Sequence, residues 1–152
     1  MSEEPVLYIL MRTDIHSLAG GKGMAQAAHA ANQFVAEAKK DKLFKAWEKQ
    51  AGTFGTTIVL AGGNLRDVEG TIEYANRFEG LQTGLVVDPT FPVRDGDAIL
   101  TAEVTVCGYV FGDKNGDYYD KEEDVYQELS GDWSILTNPL YPTLDFPEES
   151  DY

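Results

Sequence analysis

The sequence has little cysteine, no long hydrophobic stretch and few basic residues. Its single cysteine, Cys107, excludes an internal disulfide. It lies in the apolar run of residues 104–111, where a buried, inert thiol is expected rather than a nucleophile. No apolar stretch approaches the roughly 20 residues of a membrane-spanning helix, and the acidic first five residues differ from the basic start of a secretory signal. These absences predict a cytoplasmic protein without membrane contact.

The shortage of basic residues is uneven along the chain. Twelve Lys and Arg oppose 26 Asp and Glu, which gives a net charge of −14. Residues 113–152 hold two basic and 12 acidic residues, whereas residues 1–112 hold ten and 14. The acidic segment should repel polyanions. Extended contact with a nucleic-acid backbone is therefore disfavoured over residues 113–152.

The remaining composition predicts one α/β domain. A chain of 152 residues with 43% hydrophobic content can bury a real core but is short for two domains. Apolar runs alternate with segments of helical periodicity, which favours a single four-stranded, mostly parallel mixed sheet flanked by helices. The fourth strand is expected to run antiparallel. Strands are predicted at residues 6–11, 56–61, 85–87 and 98–111, and helices at 23–39, 42–49 and 65–78.

The most informative stretch is residues 20–31, where a glycine-rich loop with one lysine precedes an alanine-rich helix. Lys22, Gln26, His29 and Gln33 follow one another at steps of four, three and four, so they form one polar stripe on that helix. The stripe fits a solvated helix face as well as a functional site. The sequence alone leaves both interpretations open.

Three loops are expected to lie together at the carboxyl ends of the parallel strands. Parallel strands place the loops after their carboxyl ends together, and ligands bind there in open α/β sheets. The glycine loop follows the first strand, Gly62 and Gly63 follow the second, and a turn at residues 88–90 is predicted to end the third. The sequence therefore predicts a ligand crevice between these loops.

We predict a domain of residues 1–112 and an acidic extension of residues 113–152 that packs on it. The extension is expected to dock by its aromatic side chains while its carboxylates face water; the alternative is that it covers the crevice and imitates the charge of a nucleic acid. Asn115 and Gly116 predict a tight hairpin turn between residues 109–111 and 118–119. Asp113, Asn115 and Asp117 superficially match a calcium loop, but Tyr118 stands where its glycine is required and no glutamate ends the loop.

Several of these motifs together resemble the peptidyl-tRNA hydrolase 2 family. Arg-Thr-Asp at residues 12–14 follows the first strand, Gly-Lys-Gly-Met-Ala-Gln-Ala-Ala-His-Ala occupies residues 21–30, Lys-Ala-Trp-Glu occupies residues 45–48, and Asp88 closes the third strand. The resemblance covers roughly residues 6–112. It implies a four-stranded mixed sheet and hydrolysis, without metal or cofactor, of the ester between a peptide and the terminal ribose of tRNA.

The resemblance also implies site residues and a partner. The partner is the 3′ end of tRNA with its attached peptide, and a homodimer is left open. The implied catalytic residues are Lys22, His29, Asp88 and Thr90, and the implied substrate-binding residues are Arg12, Thr13, Asp14 and Gln26.

The chain departs from the family pattern at the end of the second strand and after Asp88. Members commonly carry a lysine where Ala61 or Gly62 stands here. They also follow the aspartate with Ala-Gly-Arg-Thr-Gln, whereas this chain has Pro-Thr-Phe-Pro at residues 89–92. The missing basic groups predict limited contact with tRNA phosphates.

Ester hydrolysis needs a positioned water, a base and donors for the developing oxyanion. His29 or Asp88 is predicted to handle the water's proton, and Lys22 to neutralise the oxyanion or hold a terminal phosphate. A non-catalytic binding or regulatory protein on the same fold is the alternative. A hydrolase of another small ester or amide is a third interpretation.

Overall fold

The computed structural model describes residues 3–128. None of the helices in this range combines the length and hydrophobicity that a membrane span requires. The elements in chain order are β1 (Pro5–Arg12), a 3-10 turn (His16–Leu18), α1 (Gly21–Glu37), α2 (Lys42–Glu48), β2 (Thr57–Gly63), α3 (Leu65–Ala75), β3 (Gln82–Asp95), β4 (Ala98–Asp113), β5 (Asp117–Asp120) and β6 (Val125–Glu128).

The predicted four-stranded mixed sheet is confirmed, with the strand order β2-β1-β4-β3. β1 pairs with β2 in parallel, and β4 is antiparallel to both β1 and β3. β1, β2 and β3 therefore share one direction, although only one neighbouring pair is parallel because β4 lies between β1 and β3. The carboxyl ends of β1 and β2 lie at the edge of the sheet where the ligand crevice was predicted.

Hydrophobic cores cover both faces of the sheet. Alternate residues of β1 point to opposite faces: Leu7, Ile9 and Met11 belong to a core with Phe34 of α1 and two aromatics of α2, whereas Val6, Tyr8 and Leu10 belong to a core beneath α3. The near-continuous apolar run of residues 6–11 reflects this two-sided burial. Cys107 is fully buried, as predicted, and burial raises the pKa of its thiol to about 12.

The predicted turn at residues 88–90 is wrong. β3 continues through this stretch to Asp95 and forms a long hairpin with β4, and its register shifts between Asp88 and Phe91. The irregularity accommodates Pro89, which cannot donate a ladder hydrogen bond. Phe91 is buried in the α1 core and anchors the strand beyond the irregularity. β4 pairs with β1 only from Cys107 to Asp113, so the preceding part of β4 pairs with β3 alone, and residues 91–102 form a two-stranded arm.

The segment after β4 differs from its prediction in two ways. A turn does follow Asp113, but β4 and β5 do not pair, because β5 forms a separate two-stranded sheet with β6. Not all carboxylates face water, since Asp120 is fully buried.

Asp120 accepts two hydrogen bonds, at 3.2 and 2.6 Å, from Arg77, which lies two residues past the end of α3. Its carboxylate oxygens also accept from Gln127 and from the N–H groups of residues 122 and 123. The hydrogen bonds from Arg77 above all hold the pKa of Asp120 below its ordinary value. Tyr118 is buried in the α3 core, whereas Tyr126 is largely exposed. The predictions for residues 129–152 lie outside the described residues, and the domain boundary after residue 112 stays a prediction.

Candidate active site at the start of the first helix

Two glycines position the start of α1. Gly20 precedes the helix with φ of 72°, a conformation that costs glycine little and other residues more. Gly23 lies directly against the preceding 3-10 turn, where an added Cβ would stand 1.9 Å from the carbonyl oxygen of Leu18. The helix begins at Gly21, two residues earlier than predicted. Lys22 is therefore exposed in the first helical turn rather than in the preceding loop.

Gln26 joins α1 to Asp88 of β3. It is 8% exposed, and its amide donates a hydrogen bond of 2.8 Å to Asp88 Oδ2. Asp88 Oδ1 accepts from the backbone N–H of Thr90 at 2.9 Å, with the Thr90 hydroxyl at 3.4 Å. The Thr90 N–H is the main cause that holds the pKa of Asp88 below its ordinary value, with smaller contributions from Gln26 and the nearby His29. The result is a fixed carboxylate that stays ionised at neutral pH.

The polar stripe of α1 runs along β3. One and two turns after Lys22 come Gln26 and His29, and Gln33 then donates a hydrogen bond of 2.9 Å to the carbonyl of Leu85. Two members of the stripe are thus bonded to the sheet rather than only to solvent. His29 is exposed and lies close enough to Asp88 for its charge to act on that carboxylate.

Arg12, Thr13 and Asp14 hold the end of β1. The Arg12 guanidinium donates to both carboxylate oxygens of Asp14, at 3.0 and 2.8 Å, and to the carbonyl of Thr105 in β4 at 2.9 Å. The bond from Arg12 keeps the pKa of Asp14 below its ordinary value. The N–H of Thr13 donates to the carbonyl of Gly63 at the end of β2. These contacts join the end of β1 to the end of β2 and to the middle of β4.

The structure thus brings some predicted site residues into contact and leaves others as neighbours. Gln26, Asp88 and Thr90 form one hydrogen-bonded group, with His29 near it. Lys22 stands one helical turn before Gln26. The Arg12 group reaches the same edge of the sheet through Thr105, which pairs with Val87, the residue before Asp88. Thr105 contributes only a backbone carbonyl, so no sequence signal could have pointed to it.

The wall formed by the end of β2 offers no basic group. Ala61 and Gly62 are buried, and an added Cβ at Gly62 would lie 2.9 to 3.0 Å from Val68 and from the backbone of β1. A lysine at residue 62 would therefore not fit without a shift of the backbone. Within residues 3–128, no group of three or more His, Cys, Asp or Glu is arranged to hold a metal ion.

The amide of Gln26 should control the charge on Asp88. The volume-conserving change Gln26→Leu removes one donor to the carboxylate, so the pKa of Asp88 is expected to rise. Gln33→Leu is the matched control, since Gln33 lies on the same stripe but donates to Leu85. Carboxyl carbon titration by NMR measures both variants. An unchanged Asp88 pKa in Gln26→Leu, or an equal rise in Gln33→Leu, would contradict the assignment.

Comparison with known proteins agrees with the geometry. No curated protein is similar enough to the chain to be matched with it. The family model described as "Peptidyl-tRNA hydrolase PTH2" matches residues 5–105, a range that contains β1, α1, β3 and every candidate residue named above. This match spans well over half of the 152 residues. The chain belongs to the peptidyl-tRNA hydrolase PTH2 family.

Proposed function

We propose that this protein hydrolyses the ester bond between a peptide and the 3′-terminal ribose of tRNA, releasing peptide and free tRNA. The observation that carries the proposal is the Asp88 carboxylate, held by Gln26 and Thr90 beside the first turn of α1. Family membership makes this reaction class the expected one.

Asp88 is assigned the role of holding the attacking water. Each of its carboxylate oxygens accepts one strong protein hydrogen bond, which leaves further lone pairs directed at solvent. A carboxylate with a lowered pKa is a weak base but a firm acceptor. It is suited to orient a water and to stabilise the positive charge that develops on that water as it attacks.

His29 is assigned the role of the general base that takes the proton from the attacking water. Histidine side chains in general titrate near pH 6.5, close to the pH at which a general base is most effective. His29 lies on the same stripe as Gln26, and its charge acts on Asp88. An acid limb of the pH–rate profile that is lost in His29→Asn would support this role. A limb that persists in His29→Asn would instead make Asp88 the base.

Lys22 is assigned the role of stabilising the oxyanion that forms as water adds to the ester carbonyl. It lies in the first turn of a 17-residue helix, where the free backbone N–H groups and the helix dipole also favour negative charge. No hydrogen bond or ion pair within residues 3–128 occupies its ammonium group. Preorganised donors of this kind contribute a large part of the rate in acyl transfer.

The role assigned to Arg12, Thr13 and Asp14 is to bind the terminal nucleotide of the substrate. Because the Arg12 guanidinium already donates to Asp14 and Thr105, it supports the shape of the site more than it supplies a free cation. Residues 61 and 62 add no basic group, which supports limited phosphate contact at the site itself. A cytoplasmic location and a homodimer stay predictions.

The direct test is release of peptide from an N-blocked aminoacyl-tRNA. Wild type should turn over, and Lys22→Ala should lower kcat about 100-fold, the cost of one oxyanion donor. Lys121→Ala, which removes an exposed lysine on the β5–β6 turn, should leave the rate within twofold. The proposal fails if the wild type shows no turnover at any salt concentration.

A non-catalytic binding protein on this fold is the second candidate. The internal bonding of Arg12 and the small, buried residues at the end of β2 favour it. Binding of tRNA by the wild type without any turnover would select this candidate over the hydrolase.

A further inference from the structure

α2 and the residues beside it form a basic segment in an otherwise acidic protein. Five of the twelve basic residues of the chain fall within residues 39–49. Lys42, Lys45 and Lys49 follow one another at steps of three and four, so they lie on one side of α2; we call these three residues the lysine face. All three are exposed. Among residues 3–128, no carboxylate forms an ion pair with any of them.

The lysine face borders an open groove of about 610 Å³, which Lys40 also lines. The two carboxylates in the groove lining are Glu3 and Asp41, and the Asp41 side chain accepts a hydrogen bond from the N–H of Phe44 as the helix cap. Lys40 is committed to the protein, since its ammonium donates to the carbonyl of Val35 and lies 4.3 Å from the centre of the Phe44 ring. The lysine face thus presents to a ligand in the groove three positive charges that no carboxylate among residues 3–128 neutralises.

α1 separates the lysine face from the candidate active site. The helix runs against the direction of β3, because Gln26 contacts Asp88 whereas Lys39, just past the helix end, contacts Gln82 at the start of the strand. Its 17 residues span about 25 Å. The groove includes Glu3, two residues before the start of β1, so it lies at the end of β1 opposite Arg12. Lys22 at the start of α1 and the lysine face beyond its end are therefore about one helix length apart, on the side of the sheet that α1 and α2 cover.

We infer that the lysine face binds the phosphate backbone of the tRNA at a distance from the ester, an inference that rests on the proposed function. Lysine recognises phosphate as a point charge, and rows of such charges supply affinity without reading sequence. A substrate held at both places is longer than the terminal nucleotides, so the lysine face favours peptides attached to complete tRNA. It supplies phosphate contacts that the wall at residues 61 and 62 lacks.

The test compares two substrates carrying the same N-blocked amino acid ester, one on full-length tRNA and one on the trinucleotide CCA. In the double variant Lys45→Gln/Lys49→Gln, KM for the tRNA substrate is expected to rise about tenfold at 100 mM salt. The slope of log KM against log salt should fall by about 2, one for each lost phosphate contact. The kcat values, and KM for the CCA substrate, should stay within twofold.

Arg66→Gln/Lys121→Gln is the matched control, because it removes the same charge from exposed positions on the α3 side. The inference is overturned if the control raises KM for tRNA as much as the double variant does, or if neither does. It is also overturned if the double variant loses binding to phosphatidylserine vesicles while KM for tRNA is unchanged, which would assign the surface to a membrane. Absence of turnover of both substrates by the wild type would instead remove the proposed function itself.

Discussion

Asp88→Asn is expected to lower kcat for peptidyl-tRNA by about 100- to 1,000-fold and to leave the fold intact. Asparagine has nearly the same shape, so the N–H of Thr90 keeps an acceptor and the bulge in β3 is preserved. The amide cannot carry the negative charge that holds and polarises the attacking water. It also presents a second donor to Gln26, which must rotate away. Single-turnover kinetics with a blocked aminoacyl-tRNA measures the chemical step directly.

The control for this substitution is Asp97→Asn. Asp97 lies in the turn at the tip of the β3–β4 arm and is exposed, so the same chemical change there should alter kcat by less than twofold. Far-UV circular dichroism and thermal melts show whether each variant is folded. A folded Asp88→Asn enzyme whose kcat stays within threefold of wild type is incompatible with the role assigned to Asp88.

Gly23→Ala is expected to destabilise the protein by about 3 kcal/mol, the upper end of the usual cost of overpacking. The new methyl group would overlap the carbonyl oxygen of Leu18 at 1.9 Å. Neither partner can move cheaply, because that oxygen belongs to the backbone and Leu18 is buried in the core. α1 would have to separate from the 3-10 turn, which displaces Lys22 as well. Urea denaturation measures the free energy of unfolding.

Gly21→Ala is the matched control for this packing argument. No atom lies within 4 Å of the position that its Cβ would occupy, and Gly21 is not among the glycines with positive φ. Alanine has the higher helix propensity, so Gly21→Ala should leave stability unchanged or raise it by up to about 1 kcal/mol. If both alanine variants lose the same stability, the close contact with Leu18 is not what requires glycine at residue 23.

Local signals in the sequence predicted local structure well. Asn64 caps α3 from the position directly before the helix: its side chain accepts from the N–H of Asp67, while the Asp67 carboxylate accepts from the N–H of Asn64. The antiparallel direction of β4 was predicted and is confirmed in its hairpin with β3. In each case the residues that decide the structure are neighbours in the chain.

Two predictions failed because the deciding partner is distant in sequence. Residues 88–90 have the composition of a turn, but β4 supplies a pairing strand and the buried Phe91 holds β3 against it. Asp120 belongs to an acidic run that resembles a solvated segment. Its partner Arg77 lies 43 residues earlier, on the far side of β3 and β4 in the chain.

The candidate site shows the same division. The spacing of Lys22, Gln26 and His29 predicted that they share one side of α1, which follows from helix geometry alone. The spacing could not show that the Gln26 amide donates a hydrogen bond to Asp88, which lies 62 residues later in the sequence. The sequence assigned Gln26 to the substrate, whereas the structure shows its amide bonded to a carboxylate of the protein. Which of the predicted residues contact substrate stays a prediction.

The position of β4 between β1 and β3 has a consequence for how this chain folds as it is synthesised. The central pair joins Pro5 to Asp113, so β1 lacks one of its two neighbours until three-quarters of the chain has been made. Until β4 is made, the backbone N–H and C=O groups along one side of β1 have no partner strand. Contacts of such long sequence separation slow folding. The sheet is therefore expected to close late, after α1, α2 and α3 have left the ribosome.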